Sequence, residues 1–215
     1  MKIGGSLSER GNTKTLSNLG KLLEEIHQGK SYFIIIPGGG TFVEMIRNLQ
    51  GEFKFTDDQA HWMAILGMAQ YAQLLHHYIP NSKIIAANSK GIYKKITFDF
   101  IPILDVINFM KYSSNLKHDW NNTSDAIAVE IASKLHVKKI LFIKDVDGVN
   151  INNTIQEKIT AEELRKLEYS PLDKVTPELL VKYHIKSWII NGFYPERIKA
   201  LIVNNSKVLG TEIIE

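Results

Sequence analysis

The sequence predicts an α/β protein in which helices cover both faces of a mainly parallel central sheet, a three-layer α/β/α sandwich. Three observations carry this reading. Short apolar runs rich in β-branched residues recur along the chain. Stretches with apolar residues at helical spacing separate them, and glycine clusters follow the first two runs directly. With 215 residues, 44% of them hydrophobic and 23% charged, the chain can bury a full core and is read as one domain over 1–215.

Taken in order, Lys2-Ile3 is a short strand that enters Gly4-Gly5-Ser6. Leu16, Leu19, Leu23 and Ile26 share one face of a helix. Tyr32 to Ile36 reads as a buried strand that stops at Pro37 and three glycines. The segment from Asp58 to His77 is apolar almost all round, with Trp62, Met63, Ile65, Leu66 and Met68, and predicts a buried helix. Lys83 to Ala87, Lys139 to Ile143 and Ser187 to Ile190 predict further strands. Ile127, Ile131 and Leu135 recur at four-residue spacing on another helix. Asn150 to Thr154 is polar and fits a turn or hairpin, and Asn191-Gly192 leads into a helix from Pro195 to Val203.

Composition excludes several function classes. The net charge of +3 is too mild for a nucleic-acid binder, and the lysines are spread along the chain. Absence of cysteine removes disulfides, thiolate chemistry and cysteine-based zinc sites. No apolar run approaches the ~20 residues that span a bilayer, so a soluble, cytoplasmic protein is expected.

Ligands in such folds bind where loops leave the C-terminal ends of strands. Four segments stand there. Lys2-Ile3-Gly4-Gly5-Ser6 joins a point charge to backbone that can approach an anion, though a tight turn after an edge strand fits the same residues. Pro37-Gly38-Gly39-Gly40-Thr41-Phe42 precedes a helix whose first N–H groups would face a ligand; it is neither a P-loop nor a dinucleotide fingerprint. His118-Asp119-Trp120-Asn121-Asn122-Thr123-Ser124-Asp125 contains a helix cap, and either caps only or also brings Asn121 and Asp125 to the rim of a site. Lys144-Asp145-Val146-Asp147-Gly148-Val149 is an Asp-Gly turn or a nucleotide pocket.

The order of all four segments resembles the amino-acid kinase superfamily, whose members include acetylglutamate, aspartate, uridylate and isopentenyl phosphate kinases. The likeness runs from Lys2-Ile3-Gly4-Gly5-Ser6 to Gly210-Thr211-Glu212-Ile213. It implies the carbamate kinase-like fold, ATP and Mg²⁺ as cosubstrates, a small anionic acceptor and a homo-oligomer. By resemblance, Lys2 contacts the transferring phosphoryl group and Gly4, Gly5 and Ser6 cradle phosphates. Gly38, Gly39 and Gly40 line the acceptor site, where Asn121 and Thr123 also stand, and Asp125 organises lysines. Lys144, Asp145, Asp147, Gly148 and Val149 form the nucleotide loop. Lys174 stands near the place of a second catalytic lysine, without the glycines that usually precede it. The acceptor-binding part is then roughly 1–135 and the nucleotide-binding part 136–215, and no side chain is singled out as a metal ligand.

Gly40-Thr41-Phe42-Val43 with Arg47, the run Asp57 to Leu66, and His118-Asp119-Trp120-Asn121 resemble an archaeal and methylotroph branch of that superfamily. One activity of the branch converts a phosphate monoester, [5-(aminomethyl)furan-3-yl]methyl phosphate, to a diphosphate. The alternatives are a uridylate kinase, against which His61 counts because an acid is usual there, or a non-catalytic ATP- or oxyanion-binding protein. His61 reads either as a helix histidine satisfied by a carbonyl or as an acceptor contact. Arg47 reads either as a surface residue or as a fork that holds an acceptor phosphate.

Overall fold

The computed structural model describes residues 1–11, 13–86 and 96–214. Strands β1 (Lys2–Ile3), β2 (Ile36–Pro37), β5 (Lys139–Lys144), β8 (Lys158–Thr160), β9 (Lys186–Asn191) and β10 (Thr211–Ile214) form one sheet in the order β2-β1-β5-β9-β10-β8. All its pairs are parallel except β9 with β10. Strands β3 (Ser82–Ala86) and β4 (Ile101–Asp105) pair in parallel and join this sheet at the β2 edge through a bridge from Ile35 to Ile103. A hairpin of β6 (Asn150–Ile151) and β7 (Thr154–Ile155) stands apart.

The helices are α1 (Thr13–Gln28), α2 (Gly40–Phe53), α3 (Asp57–Tyr78), α4 (Ile107–Tyr112), α5 (Ser124–Lys134), α6 (Ala161–Lys166), α7 (Thr176–Tyr183) and α8 (Glu196–Ile202). A 3₁₀ segment fills Gly5–Gly11. Leu16, Leu19, Leu23 and Ile26 of α1 are buried with Ile3, Ile143, Ile190 and Ile198, which makes one apolar layer. Ala126, Val129 and Ala132 of α5 pack with Phe142, Ile140 and Ile189 on the opposite sheet face. A third cluster joins Ile65 and Met68 of α3 to Phe109 of α4 and Ile127 of α5. Alternation along β5 thus sends Ile143 to one layer and Phe142 to the other, as a two-residue period requires. The sheet is the middle layer of three, as expected.

Two expectations need correction. The strand expected over Tyr32 to Ile36 is confined to Ile36–Pro37. Its upstream residues divide their hydrogen bonds between neighbours: Ile35 N–H donates to Pro102 O and Ile36 N–H to Met1 O, so no long ladder forms with either. Helix α3 is not buried all round, because Leu66 is 54% exposed opposite the face that carries Ile65, Met68, Tyr71 and Leu75. Of the strand expected over Lys83 to Ala87, Ala87 lies outside the described residues. The polar segment after Asn150 is a hairpin whose Asn152 and Asn153 both take positive φ, the geometry of the favoured two-residue turn.

Candidate active site

The C-terminal ends of β1, β2 and β5 meet at two glycine loops. Gly4 N–H donates to Ile143 O at 2.7 Å and Gly38 N–H to Ile3 O at 2.8 Å, so both loops are fixed to the sheet. They face each other at closest backbone approach. A Cβ on Gly5 would lie 1.8 Å from Gly40 N, and Gly40 itself has φ +58°. Only glycine meets both demands. Ser6 follows in the 3₁₀ segment, and Tyr71 from α3 donates its hydroxyl to Gly4 O at 3.0 Å. Burial raises the Tyr71 pKa, which keeps that donor protonated. We expect Gly5→Ala to destabilise the protein by about 1–3 kcal/mol, because the added carbon meets backbone that cannot move aside. An unchanged melting temperature would show that the loops part easily.

Beside these loops three charged side chains converge. Thr123 caps α5, with its hydroxyl accepting from Asp125 N–H, and so sets Asp125 in the first helical turn. Helix α5 lies against the sheet face on which Lys2 and Phe142 are register partners. Two residues beyond Phe142, Lys144 belongs to the same face. Lys2 Nζ stands 2.7 Å from Asp125 Oδ1, and Lys144 Nζ donates to Asp125 Oδ2 at 2.5 Å. Lys2 and Asp125 side chains are each 4% exposed and Lys144 13%, so water screens this trio weakly. Lys2 and Lys144 thus share the Asp125 carboxylate, one ammonium at each oxygen. Burial lowers the Lys2 pKa to about 8; Asp125 opposes the shift and Lys144 adds to it. For Asp125 burial acts upward, but the two ammoniums prevail and hold its pKa below the usual carboxylate value.

A cavity of about 500 Å³ opens beside Asp125 and Lys144, a size suited to a small-molecule ligand. Arg47, Asn121, Asp125, Lys144, Asp173 and Lys174 are among its walls. Thr123 and Arg47 also border a narrower pocket of about 70 Å³ between α2, α3 and the start of α5, together with Gly39, His61, Ile65 and Trp120. The Arg47 guanidinium stacks on Trp120, 4.6 Å from the ring centroid, and Trp120 Nε1 donates to Gln50. His61 is buried and lies parallel to His118, with ring centroids 4.0 Å apart, while His118 Nδ1 meets Asp58 at 2.5 Å. Burial first and His118 second lower the His61 pKa to about 4, so its ring is neutral near pH 7. His61 Nε2 has no hydrogen-bond partner among the described residues.

The remaining predicted residues lie further out. Asn121 is exposed, with its N–H on Asp119. Lys174 is exposed and forms no ion pair with Asp125 among the described residues. Asp145 is exposed. The Asp147 carboxylate accepts from Arg197 Nη1 at 2.5 Å and Asn191 Nδ2 at 3.1 Å, and Val149 N–H donates to Thr211 Oγ1 at 2.8 Å inside the core. Gly148 has φ +146° and packs on the Thr211 side chain. This loop therefore spends much of its polar capacity within the fold.

One organising residue went unread in the sequence. Asp173 Oδ2 accepts from Thr123 N, Thr123 Oγ1 and Ala126 N, while Oδ1 accepts from Thr176 N at 2.7 Å. It caps α5 from about fifty residues away and starts α7 locally. The spacing Asp173-x-x-Thr176-Pro177 carries the local cap signal, but nothing in it reveals the distant partner.

A second, mostly apolar cavity of about 380 Å³ lies beside the starts of β1 and β5, lined by Met1, Tyr32, Phe98, Leu141 and Trp188 among others. It has no carboxylate and no glycine loop among its described walls, and it sits at the wrong end of the strands for the chemistry above.

Fold and site together define an α/β protein of the phosphate-binding kind, with two facing glycine loops and two ammoniums on one buried carboxylate. The chain belongs to the amino acid kinase family, whose pattern it matches over residues 1–191, and it is a kinase. It is 25% identical to the [5-(aminomethyl)furan-3-yl]methyl phosphate kinase of Methanocaldococcus jannaschii, over 100% of this chain and 99% of that protein. Its fold is similar to uridylate kinase from Archaeoglobus fulgidus, with TM-score 0.76, 17% identity and coverage of 99% and 97% of the two chains. UMP kinase from Ureaplasma parvum is similar at TM-score 0.75 and 18% identity, with coverage of 100% and 97%.

Proposed function

We propose that this kinase transfers the γ-phosphoryl group of ATP to a small phosphate monoester of the [5-(aminomethyl)furan-3-yl]methyl phosphate type. The observation that carries the reading is the Asp125 carboxylate at the cavity wall, which holds Lys144 of the same wall and the buried Lys2 behind it, next to two facing glycine loops. A polyphosphate needs such concentrated positive charge, and transfer needs donor and acceptor oxygens in line rather than covalent chemistry from the protein. Residues 1–135 would hold the acceptor and 136–215 the nucleotide. Among the described residues no group of three or more His, Asp or Glu side chains is placed to hold a metal ion. Mg²⁺ bound with ATP would take most of its ligands from nucleotide phosphates and water and would supply further neutralising charge there.

The acceptor is expected to be small. The pocket around His61 and Trp120 is narrow, about 70 Å³, and joins the larger cavity at Arg47, Trp120 and Thr123, so an acceptor would lie across both. Arg47 at the junction of pocket and cavity would hold the monoester phosphate. Such an acceptor is already an anion, so no general base is required.

ADP release from Mg-ATP, measured against a panel of phosphate monoesters, carboxylates and UMP, tests this directly. Turnover with the aminomethylfuran phosphate or a close analogue is expected. Turnover with UMP alone would replace this reading with a uridylate kinase.

A pH profile gives an independent check. The Lys2 ammonium is the working form, and its pKa of about 8 places its loss just above neutrality. As pH rises through about 8, kcat/KM should fall, approaching ~10-fold per unit beyond it. A profile flat to pH 9.5 would mean that Lys2 carries no essential charge.

A further inference from the structure

We infer that Lys144, rather than Lys174, supplies the second catalytic ammonium, the one that works with Lys2 on the transferring phosphoryl group. The inference rests on the kinase reading above and assigns a residue within that site.

Among the described residues four cations border the large cavity: Arg47, Lys144, Arg165 and Lys174. Lys144 alone among them pairs with Asp125, at 2.5 Å from Oδ2, while Lys2 takes Oδ1 of the same carboxylate. Arg165 is committed to Glu178 at 2.9 Å, Arg47 stacks on Trp120 at the junction with the acceptor pocket, and Lys174 is exposed. A carboxylate that bridges two ammoniums fixes the distance between them and cancels only one of their two charges. Asp173 is a second carboxylate at the same cavity wall and acts on Lys2, so what distinguishes Lys144 is its fixed place beside Lys2 and not a surplus of charge. Lys144 also belongs to a rigid element. It ends β5, in register with Asn191 of β9, and its carbonyl accepts from Gly192 N–H at 2.7 Å. Lys174 sits instead in a segment between two short helices, α6 and α7. Preorganised charge is what stabilises a transition state, and a solvated lysine on a connecting segment supplies less of it.

In the step served, an oxygen of the acceptor phosphate forms a bond to the γ-phosphorus. The bond from that phosphorus to the β–γ bridging oxygen breaks, and its electron pair leaves with ADP. No proton has to move. Lys2 and Lys144 would neutralise charge on the non-bridging and leaving oxygens as that exchange proceeds.

The test compares Lys144→Met, Lys174→Ala and Lys144→Cys in the ADP-release assay, with melting temperature as the fold control. Lys144→Met should lower kcat by about 10²-fold or more, and Lys174→Ala by less than ~10-fold. The chain contains no cysteine, so Lys144→Cys offers a single thiol for aminoethylation to a lysine analogue of matching length. That treatment should restore at least ~10-fold of the lost kcat without a matching change in melting temperature, which a purely packing role would not produce. A larger loss for Lys174→Ala than for Lys144→Met, or a mass-verified aminoethylated protein that stays inactive, would overturn this assignment alone. A wild-type protein that releases no ADP with any acceptor would overturn the kinase reading itself.

Discussion

Lys2→Ala is expected to lower turnover by about 10²-fold or more while the protein stays folded. The kinetic loss follows from position. The ammonium is fixed at the start of β1, 2.7 Å from the Asp125 carboxylate that borders the cavity. The structural tolerance follows from the same geometry. Asp125 keeps Lys144 as a partner, so removing Lys2 leaves no unpaired buried carboxylate and takes away an ammonium that burial already disfavours. The loss should fall on kcat more than on KM for ATP, since the missing charge acts on the group in transfer. Near-wild-type kcat in this variant would remove Lys2 from the chemistry.

Asp125→Asn should have the widest effect of any single change in the site. The amide keeps the size of the side chain but leaves Lys2 and Lys144 mutually repelling and uncompensated. Breaking one partner out of a buried ion pair costs about 3–5 kcal/mol, so the melting temperature should drop together with turnover. A more specific sign separates this from loss of a helix cap. Asp125 is what holds the Lys2 pKa up against burial, so its loss should move the alkaline limb of the pH profile to lower pH than the wild-type value of about 8. The cap itself belongs to Thr123 and Asp173, which this variant leaves in place. A melting-temperature drop with an unmoved pH profile would reduce Asp125 to a structural residue.

Much of this fold was legible because its strands are buried on both faces. Lys139–Lys144 and Lys186–Asn191 read as apolar runs and end within one or two residues of their expected limits. Tyr32 to Ile36 has the same composition but a different fate, because pairing depends on which neighbours offer a continuous ladder, and composition does not record that. Helix α3 misled in the opposite sense: Leu66 is as apolar as Ile65 yet faces outward, and no periodicity marks the difference. In the site, strand–glycine order was enough to place both loops at one crevice. The direction of Lys144 was not legible from its motif, which suggested a nucleotide contact. The signal existed in the two-residue alternation from Phe142, but it needed the register of β1 against β5 to become a contact with Asp125. Asp173 required still more, since its partners lie in another element altogether.

A crystal structure with Mg²⁺ and the non-hydrolysable ATP analogue AMP-PNP tests the central claim most directly. The terminal phosphate should lie between the glycine loops and within hydrogen-bond reach of both Lys2 Nζ and Lys144 Nζ. A triphosphate bound elsewhere, with the two ammoniums still closed on Asp125 and no phosphate beside them, would contradict the account.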